Sequence, residues 1–111
     1  ACVHTNSVLL DPSAFYAPVA PYDVVIYLDE RDVPYEYEAI GLVHAKADDD
    51  WTDERDLLEA MREEAARLGA HGIIVEWIKE PRALEHLIDH LTDIDIADRR
   101  GRVVAIRAVG G

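Results

Sequence analysis

His86, His90 and Asp93 form the chain's best-spaced chemical trio. On a helix, residues four apart share a face, and Asp93 follows three positions later, so the set is a plausible chelate for Zn²⁺ or Ni²⁺. The apolar residues Leu84, Leu87, Ile88 and Leu91 fall on the opposite side, which leaves both imidazoles exposed. The plainer reading is a solvated polar face, and Leu87 occupies the place where an HExxH zinc hydrolase needs its glutamate. Asp48, Asp49 and Asp50 would attract Ca²⁺, but the run lacks the alternating ligands and turn glycine of an EF-hand and reads as a solvated loop.

Other catalytic arrangements find little support. His44 and His71 each stand near a strand end, with no nucleophile motif to serve. Ser7 and Ser13 are the only serines, and neither sits in G-x-S-x-G. Gly69 and Gly72 follow a helix and precede a strand, the reverse of a phosphate-cradling strand-glycine-helix arrangement. With 23 carboxylates, a glycosidase-type acid pair has no specific signature. The reading is therefore non-enzymatic, with no cofactor implied. Tyr27, Tyr35, Tyr37 and Trp77 lie on or beside strands, where aromatics ordinarily pack across neighbours. Tyr35, Tyr37 and Trp77 are the candidates for an aromatic interaction surface.

The elements that must carry these residues follow from periodicity. Val24 to Leu28 is β-branched and aromatic and predicts a strand. Tyr35 to Lys46 predicts a longer one, with Glu38, Ile40, Leu42 and His44 on one face and Gly41 marking a bulge or a close backbone approach. Thr52 is the expected cap of a helix whose stripe is Leu57, Leu58, Met61, Ala65 and Leu68, and Gly69 is its stop. Ile73 to Ile78 predicts a central strand, Pro81 to Leu91 a second helix, Asp93 to Gly101 a return loop, and Arg102 to Val109 the last strand. The order β-β-α-β-α-β gives an α+β two-layer domain over 23–111, about four strands with one main helix on one face.

Residues 1–22 read differently. Cys2 is the single cysteine, so no intramolecular disulfide or cysteine cluster can form. The chain opens on Ala1 and not on Met, and Ala-Cys resembles the processing site of a bacterial lipoprotein, with Cys2 as the lipidated residue. Pro12, Pro18 and Pro21 make 3–22 a leader that would tether the domain to its lipid, with Ser7 to Leu10 able to add a short strand. A diacylated cysteine supplies the two chains that stable anchoring requires.

The run Val24 to Leu28, then Pro34 with Tyr35 to Gly41, then Trp51-Thr52 opening a helix, resembles a group of small bacterial envelope lipoproteins of unknown function. The junction Ala65-Ala66-Arg67-Leu68-Gly69-Ala70-His71-Gly72 resembles one that recurs in the wider YbjQ/RcsF-like superfamily. RcsF-like proteins are disulfide-stapled stress sensors, and this chain lacks their cysteines. YbjQ-like proteins have been described as heavy-metal binders that form rings. The resemblance implies an envelope lipoprotein domain that binds protein partners, or alternatively a soluble metal-binding oligomer using His86, His90 and Asp93.

Charge narrows the partners. With 11 Lys and Arg against 23 Asp and Glu, the net charge is −12, and half of the residues are hydrophobic. The acidity therefore belongs to a folded domain. The cations are scattered along the sequence, which argues against nucleic acid. An anionic membrane should likewise repel such a surface. Val3 is not the aspartate that retains enteric lipoproteins in the inner membrane, so the expected address is the outer membrane, facing the periplasm. The expected partner is an envelope protein, or a further copy of the chain paired through an edge strand.

Overall fold

The computed structural model describes residues 3–47, 53–79 and 99–110. Strands β1 (Val3–Leu9), β2 (Val25–Tyr27), β3 (Tyr37–Ala47), β4 (Gly72–Lys79) and β5 (Arg99–Ala108) form one mixed sheet in the order β1-β3-β5-β4-β2. All neighbours are antiparallel except β2 and β4, which run parallel. Helix α1 (Glu54–Leu68) covers one face, and single 3₁₀ turns at Pro21–Asp23 and Glu30–Asp32 flank β2. This is the expected α+β two-layer architecture, with a fifth strand. The expected second helix, the metal trio His86, His90 and Asp93, and Cys2 all lie outside the described residues.

The fifth strand comes from the segment expected to be a leader. Val3–Leu9 pairs along its whole length with β3, from Val3 opposite Ala47 to Leu9 opposite Gly41. Its exposure alternates, with Val3, Thr5, Ser7 and Leu9 half-buried on the helix side and His4, Asn6 and Val8 exposed on the other. Period-two alternation is what a one-sided edge strand needs, and the prolines that suggested a tether all lie beyond it. Tyr16 and Val19 then pack on the core, and the Val19 N–H donates to the Ala66 carbonyl at 2.9 Å.

The helix is set at both ends by local chemistry. Its cap is Asp53, one residue beyond the expected Thr52. The Asp53 side chain accepts from the Asp56 N–H at 3.0 Å, while Asp56 accepts from the Asp53 N–H at 3.1 Å. Two of the orphan donors at the first turn are thereby satisfied reciprocally. At the other end Gly69 adopts φ 88° and ψ 22°, the left-handed stop that glycine takes without a Cβ penalty. Between the ends, Leu57, Met61, Ala65 and Ala66 are buried against Val43, Ala45, Val103, Ala105 and Ile73.

Two bulges decide which side chains face the helix. One falls between Ala39 and Gly41, so Ile40 joins Gly41, Val43 and Ala45 on the buried side. Glu38, Ile40, Leu42 and His44 therefore do not share a face, because the extra residue reverses the alternation at Ile40. The other bulge falls between Val75 and Trp77 and sends Trp77 to the open face opposite Arg102. The last strand starts at Arg99, three residues before the expected Arg102. Gly101 makes this extension fit, since a Cβ there would lie 2.9 Å from the Met61 methyl and 3.3 Å from Leu57. β5, and not β4, is the middle strand.

Candidate functional site

Among the described residues, the face of the sheet opposite α1 presents side chains from β1, β3, β5 and β4. Directly opposed residues in a sheet point the same way, so the register reads out this open face row by row. One row runs His4, Lys46 and Arg100, across β1, β3 and β5. The next runs Asn6, His44, Arg102 and Trp77, reaching β4. A third, more apolar row holds Val8, Leu42, Val104 and Ile74. Four neighbouring strands span about 14 Å at ordinary strand spacing.

These rows gather basic groups in a strongly acidic protein. Lys46, Arg100 and Arg102, three of the chain's eleven lysines and arginines, lie on neighbouring strands of this face. Glu76, the bulge residue, pairs with the Arg102 guanidinium. Trp77 is 41 % exposed and Val8 58 %. A shallow groove of about 380 Å³ runs over the cluster, lined among others by His4, Asn6, His44, Lys46, Trp77 and Arg100. The signal was present in the sequence, since Leu42, His44 and Lys46 share one parity in β3, as do Arg100, Arg102 and Val104 in β5. It became readable only once the bulges and the start of β5 were known.

The proposed aromatic surface divides. Tyr37 stands opposite Ala108 at the far end of β5 from Arg102, which faces Trp77. Six residues of strand separate the two positions, about 20 Å. Tyr35 is half-buried beside Tyr27, and burial together with the Tyr27 hydrogen bond pushes its phenol up to about 12. Trp77 alone of the three belongs with the basic rows.

The histidines named as bases have structural surroundings. His44 lies in the basic rows. Just before β4, His71 Nδ1 accepts the Ala108 N–H at 3.0 Å, so in the neutral ring its proton sits on Nε2. Burial, and secondarily the Arg107 charge, hold its pKa below the ordinary value. Arg107 itself donates to the Gly69 carbonyl and lies 4.7 Å from the centre of the Tyr16 ring. Ser7 donates to Glu64 at 2.6 Å, tying β1 to α1; this bond, with Arg67, lowers the Glu64 pKa. Among the described residues, no group of three or more His, Cys, Asp or Glu is placed to hold a metal. No helix among them is long and apolar enough to cross a membrane.

No protein-family model matches the chain, and no curated protein does. The fold does have a counterpart in a solved structure, a Francisella virulence factor named FvfA. The two share 20 % identity over 93 % of this chain and 96 % of that one, with a TM-score of 0.64. At that identity the likeness shows a common fold across essentially the whole chain.

Proposed function

We propose that this chain is a non-catalytic interaction module of the bacterial envelope, anchored through a lipid on Cys2 at the outer membrane and facing the periplasm. The observation that carries the binding role is the exposure of Trp77 and Val8, among the described residues, on the sheet face opposite α1, beside His4, His44, Lys46, Arg100 and Arg102. The anchoring role rests on the Ala1-Cys2 pair and on the resemblance to envelope lipoproteins.

The experiment is to express the natural gene product in a bacterial host, fractionate the envelope and take the intact mass of the mature chain. A membrane-bound product starting at Cys2, heavier by a diacylglycerol, is the expected result. A product in the soluble fraction with an unmodified Cys2 thiol overturns the envelope reading.

A further inference from the structure

We infer that the outer edge of β1 is the interface through which two copies of this chain pair, antiparallel and about a two-fold axis at Asn6. The inference rests on the reading of the chain as an interaction module and names its surface and its partner. β1 ends the sheet, and among the described residues no strand pairs with its outer side. Backbone groups of successive strand residues point to opposite sides. The Leu10 N–H donates to the Ile40 carbonyl at 2.9 Å, and the Val8 carbonyl oxygen would lie 2.9 Å from a Cβ built on Gly41. The even-numbered residues of β1 therefore bond to β3, and Val3, Thr5, Ser7 and Leu9 turn their N–H and C=O groups outward. The sheet's other edge is built differently. β2 has three residues, and the 3₁₀ turn that follows it carries Glu30 and Asp32. Short length and charge are ordinary protections of an edge against strand pairing. β1 has seven residues in unbroken register and no Asp, Glu, Lys, Arg or Pro, in a chain of which 31 % is charged.

The sequence of β1 selects a second copy as the occupant. An isologous contact must be self-complementary, and Val-His-Thr-Asn-Ser-Val-Leu pairs with its own reverse. With Asn6 on the axis, Val3 meets Leu9 of the second copy and Thr5 meets Ser7. Aliphatic faces aliphatic, hydroxyl faces hydroxyl, and outward donors face outward acceptors. On the other side of the seam Asn6 meets Asn6, and His4 meets Val8, which is 58 % exposed in the single chain. A strand from an unrelated protein would require none of this symmetry. Charge at the seam does not oppose the approach. Glu64, the carboxylate that reaches β1, accepts from Ser7 and is paired with Arg67. The remote part of the net charge of −12 is screened beyond about 10 Å at 0.1 M salt. A seam of this length, about 24 Å, covers less than the roughly 800 Å² a side of a standard interface, so the dimer is a weak one.

The test uses the full chain with Cys2→Ser, so that no native thiol interferes. Sedimentation equilibrium should show a dimer whose fraction rises as the concentration is raised from about 10 µM to about 1 mM. Asn6→Cys in this background should give a disulfide-linked dimer under mild oxidation. A non-hydrogen-bonded antiparallel pair sets its two Cα atoms about 4.5 Å apart, within disulfide reach. Val8→Cys alone should not cross-link, since the two copies of position 8 stand four residues apart along the seam, about 14 Å. Val8→Cys mixed with His4→Cys should cross-link. Thr5→Pro deletes an outward donor, leaves the ladder to β3 intact, and should weaken the dimer about thirtyfold through two hydrogen bonds lost across the axis. A urea midpoint confirms that it folds. If it does not, Asn6→Lys sets like charges opposite each other at an exposed position and should weaken the dimer about fivefold. A monomer at every concentration overturns the inference and leaves this edge to a strand of another protein. So does cross-linking of Val8→Cys as readily as of Asn6→Cys, or a dimer indifferent to the folded Thr5→Pro or Asn6→Lys. No lipid takes part, so a failure here leaves the anchoring result untouched, and an unlipidated natural product leaves this one untouched.

Discussion

Replacing Gly69 by alanine tests whether the segment before β2 is seated on the end of α1. Gly69 has φ 88°, and a Cβ built on it would stand 2.5 Å from Tyr16 Cβ and 2.8 Å from the Ala17 carbonyl oxygen. Alanine in the left-handed region costs about 1–2 kcal/mol. The overlap with Tyr16 and Ala17 involves a Cβ and a backbone oxygen, which no rotamer change can move, so the segment must lift from the helix. Lifting breaks the Val19 to Ala66 hydrogen bond, worth about 1 kcal/mol, and uncovers part of Tyr16 and Val19, worth about 1 kcal/mol more. The expected loss is about 3–4 kcal/mol, a large share of the stability of a small domain. Urea unfolding followed by far-UV circular dichroism should show a lower midpoint with an unchanged slope. Gly69→Asn separates the two contributions, because asparagine tolerates the left-handed region but carries the same Cβ; it should keep about 2 kcal/mol of the loss. In a Tyr16→Gly background the Tyr16 Cβ is gone while the Ala17 carbonyl oxygen stays, so Gly69→Ala should cost less than in the natural chain but more than its backbone share of about 1–2 kcal/mol. A loss below about 1 kcal/mol for Gly69→Ala, or no coupling between positions 16 and 69, would refute the seating of this segment.

Four further outcomes are expected. His71 is held neutral in the fold, so the unfolded chain takes up a proton first; stability should be complete above about pH 6.5 and fall as the pH drops through the window below it. His71→Asn should flatten that part of the profile, and an unchanged profile would exclude His71 as its source. Ser7→Ala removes the hydroxyl that donates to the Glu64 carboxylate and should cost about 1 kcal/mol by urea unfolding, with part of the stability lost on acidification below the ordinary glutamate range disappearing as well. Asp53→Ala breaks the reciprocal cap and should cost about 1 kcal/mol, whereas Asp53→Ser should retain most of it. Met61→Ala opens a cavity at a fully buried position under Gly101 and should cost about 2–5 kcal/mol in thermal or urea unfolding.

The helix and the inner strands were legible because their signals are local. The stripe from Leu57 to Leu68, the carboxylates of the first turn and Gly69 specify α1 with little help from tertiary structure. Gly41 was readable as a bulge, but the consequence for Ile40 was not, since the direction of a bulge is settled by what packs beneath it. β1 was legible only at its end, where Ser7 to Leu10 suggest a short strand, and the rest was hidden for a different reason. Its alternation of Val3, Thr5, Ser7 and Leu9 against His4, Asn6 and Val8 is weakly apolar, and only a partner strand makes it informative. The start of β5 was missed because Arg99 and Arg100 read as loop, whereas the sheet needs only backbone pairing there and a glycine at 101 to clear Met61. The basic face inherits both difficulties, since its rows draw on β1, on two bulges and on the extended start of β5.

Pairing of β1 also changes what an anchor at Cys2 would do. A flexible leader of twenty residues would let a domain sample any orientation at roughly 25 Å from its lipid, and no face would be favoured. With Val3 already in the sheet, the freedom left between lipid and domain is that of a residue or two. The side chains nearest the anchor are then fixed by β-sheet register, and these are His4, Lys46 and Arg100. The acidic groups of α1 and of the 29–32 turn are carried by elements other than the two basic rows. A lipid on Cys2 would then present the same few side chains of β1 and its neighbour to whatever lies beside the anchor, which a long flexible leader would not do.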